Sequence, residues 1–147
     1  MEAITPVHHT PGLPEVLILE DDPATASILQ IWLRSFCNTN VVEHGDATLE
    51  ILEKWLAEGR TFDLFLFDIN IPYPWNGVKL LQEIRKRFEI YRELPAIAQT
   101  AYALPNDREY ILSSGYHAYL AKPLAREEMT NLVKEFLGKR SAIGDRR

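Results

Sequence analysis

The sequence predicts an α/β fold in which one five-stranded parallel sheet is doubly wound by helices on both faces. Short apolar runs alternate with amphipathic stretches five times between residues 15 and 138, the order expected of β-α repeats. The runs VLIL and LFLF are continuously apolar rather than alternating, as strands covered on both faces are. Four of the runs also end on reactive residues: VLIL at Glu20, Asp21 and Asp22, LFLF at Asp68, AIAQ at Thr100 and YLA at Lys122. Sites in open parallel sheets form beyond the carboxyl ends of the strands, so all four endings fall along one edge.

Residues 16–20 read as the first strand. Asp22 then suits an N-cap and Pro23 a first helical position, and the helix is expected to reach Phe36 with Ile28, Ile31 and Trp32 at helical spacing. NVVE (40–43) is the second strand. Gly45 and Asp46 open a helix carrying Leu49, Leu52 and Leu56, which ends at Gly59. DLFLFD (63–68) is the third strand, followed by a loop with Pro72, Pro74, Asn76 and Gly77. Val78, Leu81, Ile84 and Phe88 mark the third helix, and a charged connector leads to Pro95 and the strand 96–100. Residues 106–114 form a weaker helix, and 118–121 the fifth strand. Met129, Leu132, Val133, Phe136 and Leu137 define a last helix that Gly138 is expected to end.

The 147 residues therefore divide into a flexible arm over 1–14, one domain over 15–138 and a polar, disordered tail over 139–147. The net charge of −5 argues against a nucleic-acid-binding surface. Cys37 is the only cysteine, so no internal disulfide forms, and a reduced, partly buried thiol is expected. No apolar stretch has the length of a membrane span, and the N-terminus lacks the features of a signal peptide, so the expected compartment is the cytoplasm. His8 and His9 lie among Pro6, Pro11 and Pro14 and read as solvated side chains. There is no Gly-x-Gly-x-x-Gly after the first strand, which leaves a dinucleotide site unsupported.

Glu20, Asp21 and Asp68 would repel one another as three close carboxylates, a cost that a bound cation removes. An all-oxygen donor set selects a hard ion, and Mg2+ fits a site with few protein ligands. Asp68 ends the central strand and is best placed to attack phosphorus, forming an acyl phosphate. Such a transfer needs mainly positioning and charge neutralisation; Lys122 offers a point charge and Thr100 a hydrogen bond. Taken singly, each residue has a bland reading: a cap for Asp22, a solvated lysine, a strand threonine. Their coincidence at four strand ends favours one site.

VLILEDDP, FDLFLFDINIP, the Gly77 that opens a helix before LLQEIR, PAIAQTAYA and GYHAYLAKPL together resemble the receiver domain of two-component response regulators over residues 15–138. The resemblance implies a flavodoxin-like sheet with strand order 2-1-3-4-5. It implies that Asp68 accepts a phosphoryl group from a phosphohistidine on a sensor histidine kinase or histidine phosphotransfer protein. Glu20, Asp21, Asp68 and the backbone carbonyl of Asn70 would hold Mg2+. Lys122, in a cis bond to Pro123, would pair with the phosphoryl group. Thr100 and Tyr119 would form a switch that biases the surface of the fourth helix, fifth strand and fifth helix. Asn70 and Tyr102 would tune the phosphoryl lifetime, Asn70 by orienting a water and Tyr102 by shielding. The loop IPYPWNG departs from the usual pattern by one extra residue, and its Trp75 either contacts a partner or folds onto the third helix.

The expected function is thus a stand-alone phosphoacceptor switch working through an output protein, without nucleic acid or membrane as direct partner and without substrate turnover. A phosphatase using Asp68 as nucleophile is the enzymatic alternative, weakened because Asn70 cannot serve as the second acid. A binding-only pseudo-receiver is the other alternative, weakened by the complete set of reactive residues.

Overall fold

A computed structural model describes residues 9–101 and 105–144 of the chain. Five strands, β1 (Glu15–Leu19), β2 (Asn38–Val42), β3 (Leu64–Asp68), β4 (Ala96–Thr100) and β5 (Ala118–Ala121), form one parallel sheet in the order 2-1-3-4-5. Five helices connect them: α1 (Pro23–Leu33), α2 (Gly45–Ala57), α3 (Gly77–Arg87), α4 (Pro105–Ser113) and α5 (Arg126–Gly144). Among the described residues no helix is long and apolar enough to cross a membrane.

Side chains alternate across a strand, and here that alternation builds two cores. Leu17, Leu19, Phe65, Phe67, Ala96 and Ala98 face one side, where α2 and α3 supply Leu49, Leu52, Trp55, Val78, Leu81 and Ile84. Val16, Ile18, Leu64, Leu66 and Ile97 face the other, against Leu29 and Leu33 of α1 and Met129 and Val133 of α5. Each fully buried aliphatic or aromatic side chain contributes about 1.5–3 kcal/mol. The central strands are thus apolar and buried along their length, while their ends carry polar groups.

Several expectations are corrected. The buried face of α1 is Ala26, Leu29, Gln30 and Leu33, whereas Ile28 and Ile31 are 45% and 54% exposed. This helix is apolar nearly all round, so two faces compete at the same spacing, and only packing against the sheet decides between them. The helix also stops at Leu33, short of Phe36.

The arm is held over part of its length. Thr10 donates its N–H to Asn38 Oδ1 at 2.7 Å, and Asn38 Nδ2 donates back to Thr10 O at 2.9 Å. Asn38 and Asn40 each also donate to the Glu15 carboxylate at 3.0 Å. The polar edge strand β2 thereby ties down the segment beside it, an arrangement that keeps a sheet edge from pairing with other chains.

The connector before β4 contains a 3-10 turn, Glu89–Tyr91, whose buried Tyr91 accepts the Phe62 N–H through its hydroxyl at 3.2 Å. Helix α5 continues through Gly138 to Gly144. Gly138 is not among the positive-φ glycines, and a lone glycine inside a helix costs only about 1 kcal/mol relative to alanine.

Candidate functional site

The edge formed by the strand ends gathers the acidic residues. Glu20 follows β1, Asp68 ends β3, and the two are 1% and 3% exposed, while Asp21 is open to solvent. One oxygen from each of these three carboxylates lies within 4.8 Å of the others. Lys122, just past β5, reaches between two of them: its Nζ lies 2.9 Å from Asp68 Oδ2 and 3.0 Å from Glu20 Oε1. The Lys122–Pro123 bond is cis, as is Tyr73–Pro74.

Burial raises the pKa of Glu20, against the opposing effects of the Asp22 N–H at 3.1 Å and of Lys122, with Asp68 adding to the rise. For Lys122 burial alone would lower the pKa, but the carboxylates of Asp68 and Glu20 together outweigh it and raise it. The Asp22 side chain takes no part in this cluster. Its carboxylate caps α1, accepting from Thr25 N–H at 3.1 Å and Thr25 Oγ1 at 2.6 Å, which holds its pKa down.

The β3–α3 loop is fixed at both ends. Asn70 N–H donates to Asp68 Oδ1 at 2.8 Å, and Gly77 N–H donates to Ile69 O at 3.0 Å. Gly77 packs so closely that a Cβ there would stand 2.7 Å from Ile69 Cα and 3.0 Å from Asp68 O. This is why a glycine begins α3: Ile69 and the backbone of Asp68 occupy the space of a side chain. Tyr116, wholly buried, clamps the same point by donating its hydroxyl to Gly77 O at 2.7 Å.

Trp75 is placed against the start of α2, which the sequence did not suggest. Its indole N–H donates to Asp46 Oδ1 at 3.0 Å, and a Cβ on Gly45 would run into its ring. The loop is therefore clipped to the start of α2, and Tyr73, 95% exposed, stands out from it. The sequence holds the partners of this clip, Gly45 and Asp46, 29 or more residues away from Trp75, beyond the reach of any local pattern.

Thr100 is buried at the end of β4, and its hydroxyl donates to Asn70 Oδ1 at 3.3 Å; the Ala101 N–H donates to the same oxygen at 3.0 Å. This side-chain bridge between β3 and β4 was not foreseen; an Asn two residues beyond a strand-end Asp, next to a strand ending in Thr, is the only sequence sign of it. Tyr119 lies opposite Ala98 in the β4–β5 register, so it shares a sheet face with Thr100, two residues further along. It is half-buried, with the Arg108 guanidinium 5.8 Å over its ring. Tyr102 lies outside the described residues.

The donor set suits a hard divalent cation. Three carboxylates converge, each offering oxygen, and among the described residues neither histidine nor cysteine joins the cluster. The buried Asp68, bracketed by one N–H and one ammonium, has the surroundings of a nucleophilic carboxylate.

Comparison with known proteins agrees with this geometry. The model of the response regulator receiver domain matches residues 16–134. An uncharacterized 14.6 kDa protein of Leptolyngbya boryana is 32% identical over 123 residues, covering 83% of this chain and 88% of that protein. The sensor protein GacS of Pseudomonas syringae is 30% identical over 85% of this chain, which spans only 14% of GacS. The receiver domain of the sensor histidine kinase PA1611 of Pseudomonas aeruginosa, solved with a magnesium ion in its active-site cleft, is 32% identical, with a TM-score of 0.69 over 86% of this chain and 99% of that one. The strand order, the carboxylate cluster at the strand ends and the match over nearly the whole sheet and its helices place this chain in the response regulator receiver domain family.

Proposed function

We propose that the protein is a phosphoacceptor switch of a two-component or phosphorelay system, with Asp68 as the acceptor. The observation that carries this reading is the Asp68 carboxylate, buried at the end of the central strand with Lys122 Nζ at 2.9 Å and the Asn70 N–H at 2.8 Å. An Asp68 oxygen attacks phosphorus, the P–N bond to the donor imidazole breaks, and the imidazole nitrogen keeps the electron pair and takes a proton. Lys122 neutralises charge on one phosphoryl oxygen, and Thr100 donates a hydrogen bond to another.

Glu20, Asp21, Asp68 and the backbone carbonyl of Asn70 would hold Mg2+, which when bound offsets the charge gathering on the transferring group. The domain has no turnover substrate in this reading; it is phosphorylated and later loses the group to water. The phosphohistidine comes from a sensor histidine kinase or histidine phosphotransfer protein. Ile28 and Ile31 of α1, exposed on the helix that starts beside the acidic cluster, offer such a partner apolar anchors. The charge added at Asp68 draws Thr100 inward, and Tyr119 follows on the same sheet face, altering the surface of α4, β5 and α5 that an output protein reads.

The test is incubation with Mg2+ and acetyl phosphate. An acid-stable, base-labile adduct that vanishes in Asp68→Ala supports the switch. Absence of an adduct leaves a binding-only module, and sustained release of phosphate from other monoesters makes the protein a phosphatase; either result overturns the proposal.

A further inference from the structure

We infer that the Asn70 side chain is a resting-state latch that occupies the donors a phosphoryl group needs; the inference rests on the reading of Asp68 as phosphoacceptor. Asn70 is bonded in two directions. Its backbone N–H donates to Asp68 Oδ1 at 2.8 Å, and its side-chain oxygen accepts from Ala101 N–H at 3.0 Å and from Thr100 Oγ1 at 3.3 Å. The end of β4 is therefore held by a residue that itself sits on the acceptor carboxylate.

A phosphoryl group on Asp68 brings three oxygens and nearly two negative charges to this gap. Hydrogen bonds to charged oxygens are shorter and roughly twice as strong as neutral ones. Thr100 and the Ala101 N–H therefore gain by leaving the amide oxygen for a phosphoryl oxygen. The exchange strands no buried group, because both donors keep an acceptor. Asn70 is exposed, so its freed oxygen turns to water. The latch is thus stable without phosphate and released cheaply with it. Its cost appears as weaker binding of anything that claims the same donors, since part of the binding free energy goes into breaking the two existing bonds.

Two measurements on the full chain test the latch: titration with beryllofluoride in Mg2+, which mimics the phosphoryl group without hydrolysis, and hydrogen exchange of the Ala101 amide by NMR. In Asn70→Ala the Ala101 amide is expected to exchange faster without ligand. Beryllofluoride binding is expected to tighten by roughly threefold to tenfold, the span of one modest net hydrogen bond. Asn70→Asp keeps the acceptor and is expected to leave Ala101 exchange as slow as in the wild type. Unchanged Ala101 exchange in Asn70→Ala, or beryllofluoride affinity that stays equal or weakens, overturns the latch while leaving Asp68 as acceptor. A wild-type protein that neither binds beryllofluoride nor takes a phosphoryl group from acetyl phosphate overturns both.

Discussion

Replacing Gly77 by alanine sets two known effects against each other. Alanine is favoured over glycine in a helix by up to about 1 kcal/mol, and the first turn of α3 realises only part of that. The added methyl, however, would stand 2.7 Å from Ile69 Cα, where ordinary contacts begin at 3.4 Å, and 3.0 Å from Asp68 O. Both obstacles are backbone, so no rotamer change relieves them. Forcing atoms into a packed interior costs typically about 1–3 kcal/mol, so the net effect is a loss of about 1–2 kcal/mol. For a domain of this size that lowers the melting temperature by roughly 3–8 °C. The displaced backbone is that of Ile69 and of Asp68, the proposed acceptor, and a shift of about 1 Å in a reacting group costs on the order of 100-fold in rate. Urea denaturation reads the first effect, and the initial rate of adduct formation from acetyl phosphate with Mg2+ reads the second. A Gly77→Ala protein as stable as the wild type and phosphorylated at the same rate would refute the argument that this glycine makes room for Asp68.

Gly138→Ala is the counterpart: the position opens to empty space within α5, so stability should rise by up to about 1 kcal/mol in urea melts, whereas a fall would mean that the helix ends there. Because burial raises the pKa of Glu20, the stability linked to this group in the metal-free protein is present below the ordinary glutamate value and lost as pH rises through the folded value. Mg2+ offsets that loss, so it should raise the melting temperature more at about pH 8 than at about pH 5, and an equal rise at both would contradict the linkage. Asp46→Ala removes the acceptor of the Trp75 indole and should red-shift its emission and lower stability by about 0.5–1.5 kcal/mol, while unchanged emission would argue against the clip. Cys37 is buried, and burial pushes its thiol up to about 12, so iodoacetamide at about pH 8 should modify it only after unfolding.

What the sequence disclosed and what it withheld differ in kind. The five strands, their parallel arrangement and the reactive strand ends were legible because apolar runs are short and their endings are local, while the strand order came with the family resemblance. Glu20, Asp21, Asp68 and Lys122 meet because a parallel sheet brings every carboxyl end to one edge, whatever the loops do. The face of α1 was not legible: Ile28 and Ile31 satisfy helical spacing as well as Leu29 and Leu33 do, and only the sheet chooses. The place of Trp75 and the pinning of Thr10 by Asn38 depend on residues 28 or more positions apart, with no periodic signal to connect them. Gly138 misled because glycine ends a helix only where the backbone turns left-handed, and there it does not.

The charges of the site explain why one lysine faces two carboxylates. Without a cation, Glu20 and Asp68 are both buried, and each would bear an unrelieved desolvation penalty. Lys122 relieves both at once, with Nζ at 3.0 and 2.9 Å. A compact ammonium on a flexible stem suits that position better than a guanidinium, whose planar fork is made for two oxygens of one carboxylate rather than for two carboxylates on separate strands. A divalent ion held by Glu20, Asp21 and Asp68 would take over the neutralisation of Glu20, and Lys122 would then be released toward the oxygens around Asp68. Charge balance would thus hand the lysine from one carboxylate to the phosphoryl group, just as the Asn70 bridge would hand Thr100 and the Ala101 N–H to it. Both transfers would leave the groups that move, Lys122, Thr100 and the Ala101 N–H, with a partner at each end, so that a small domain could move between two states without opening its core.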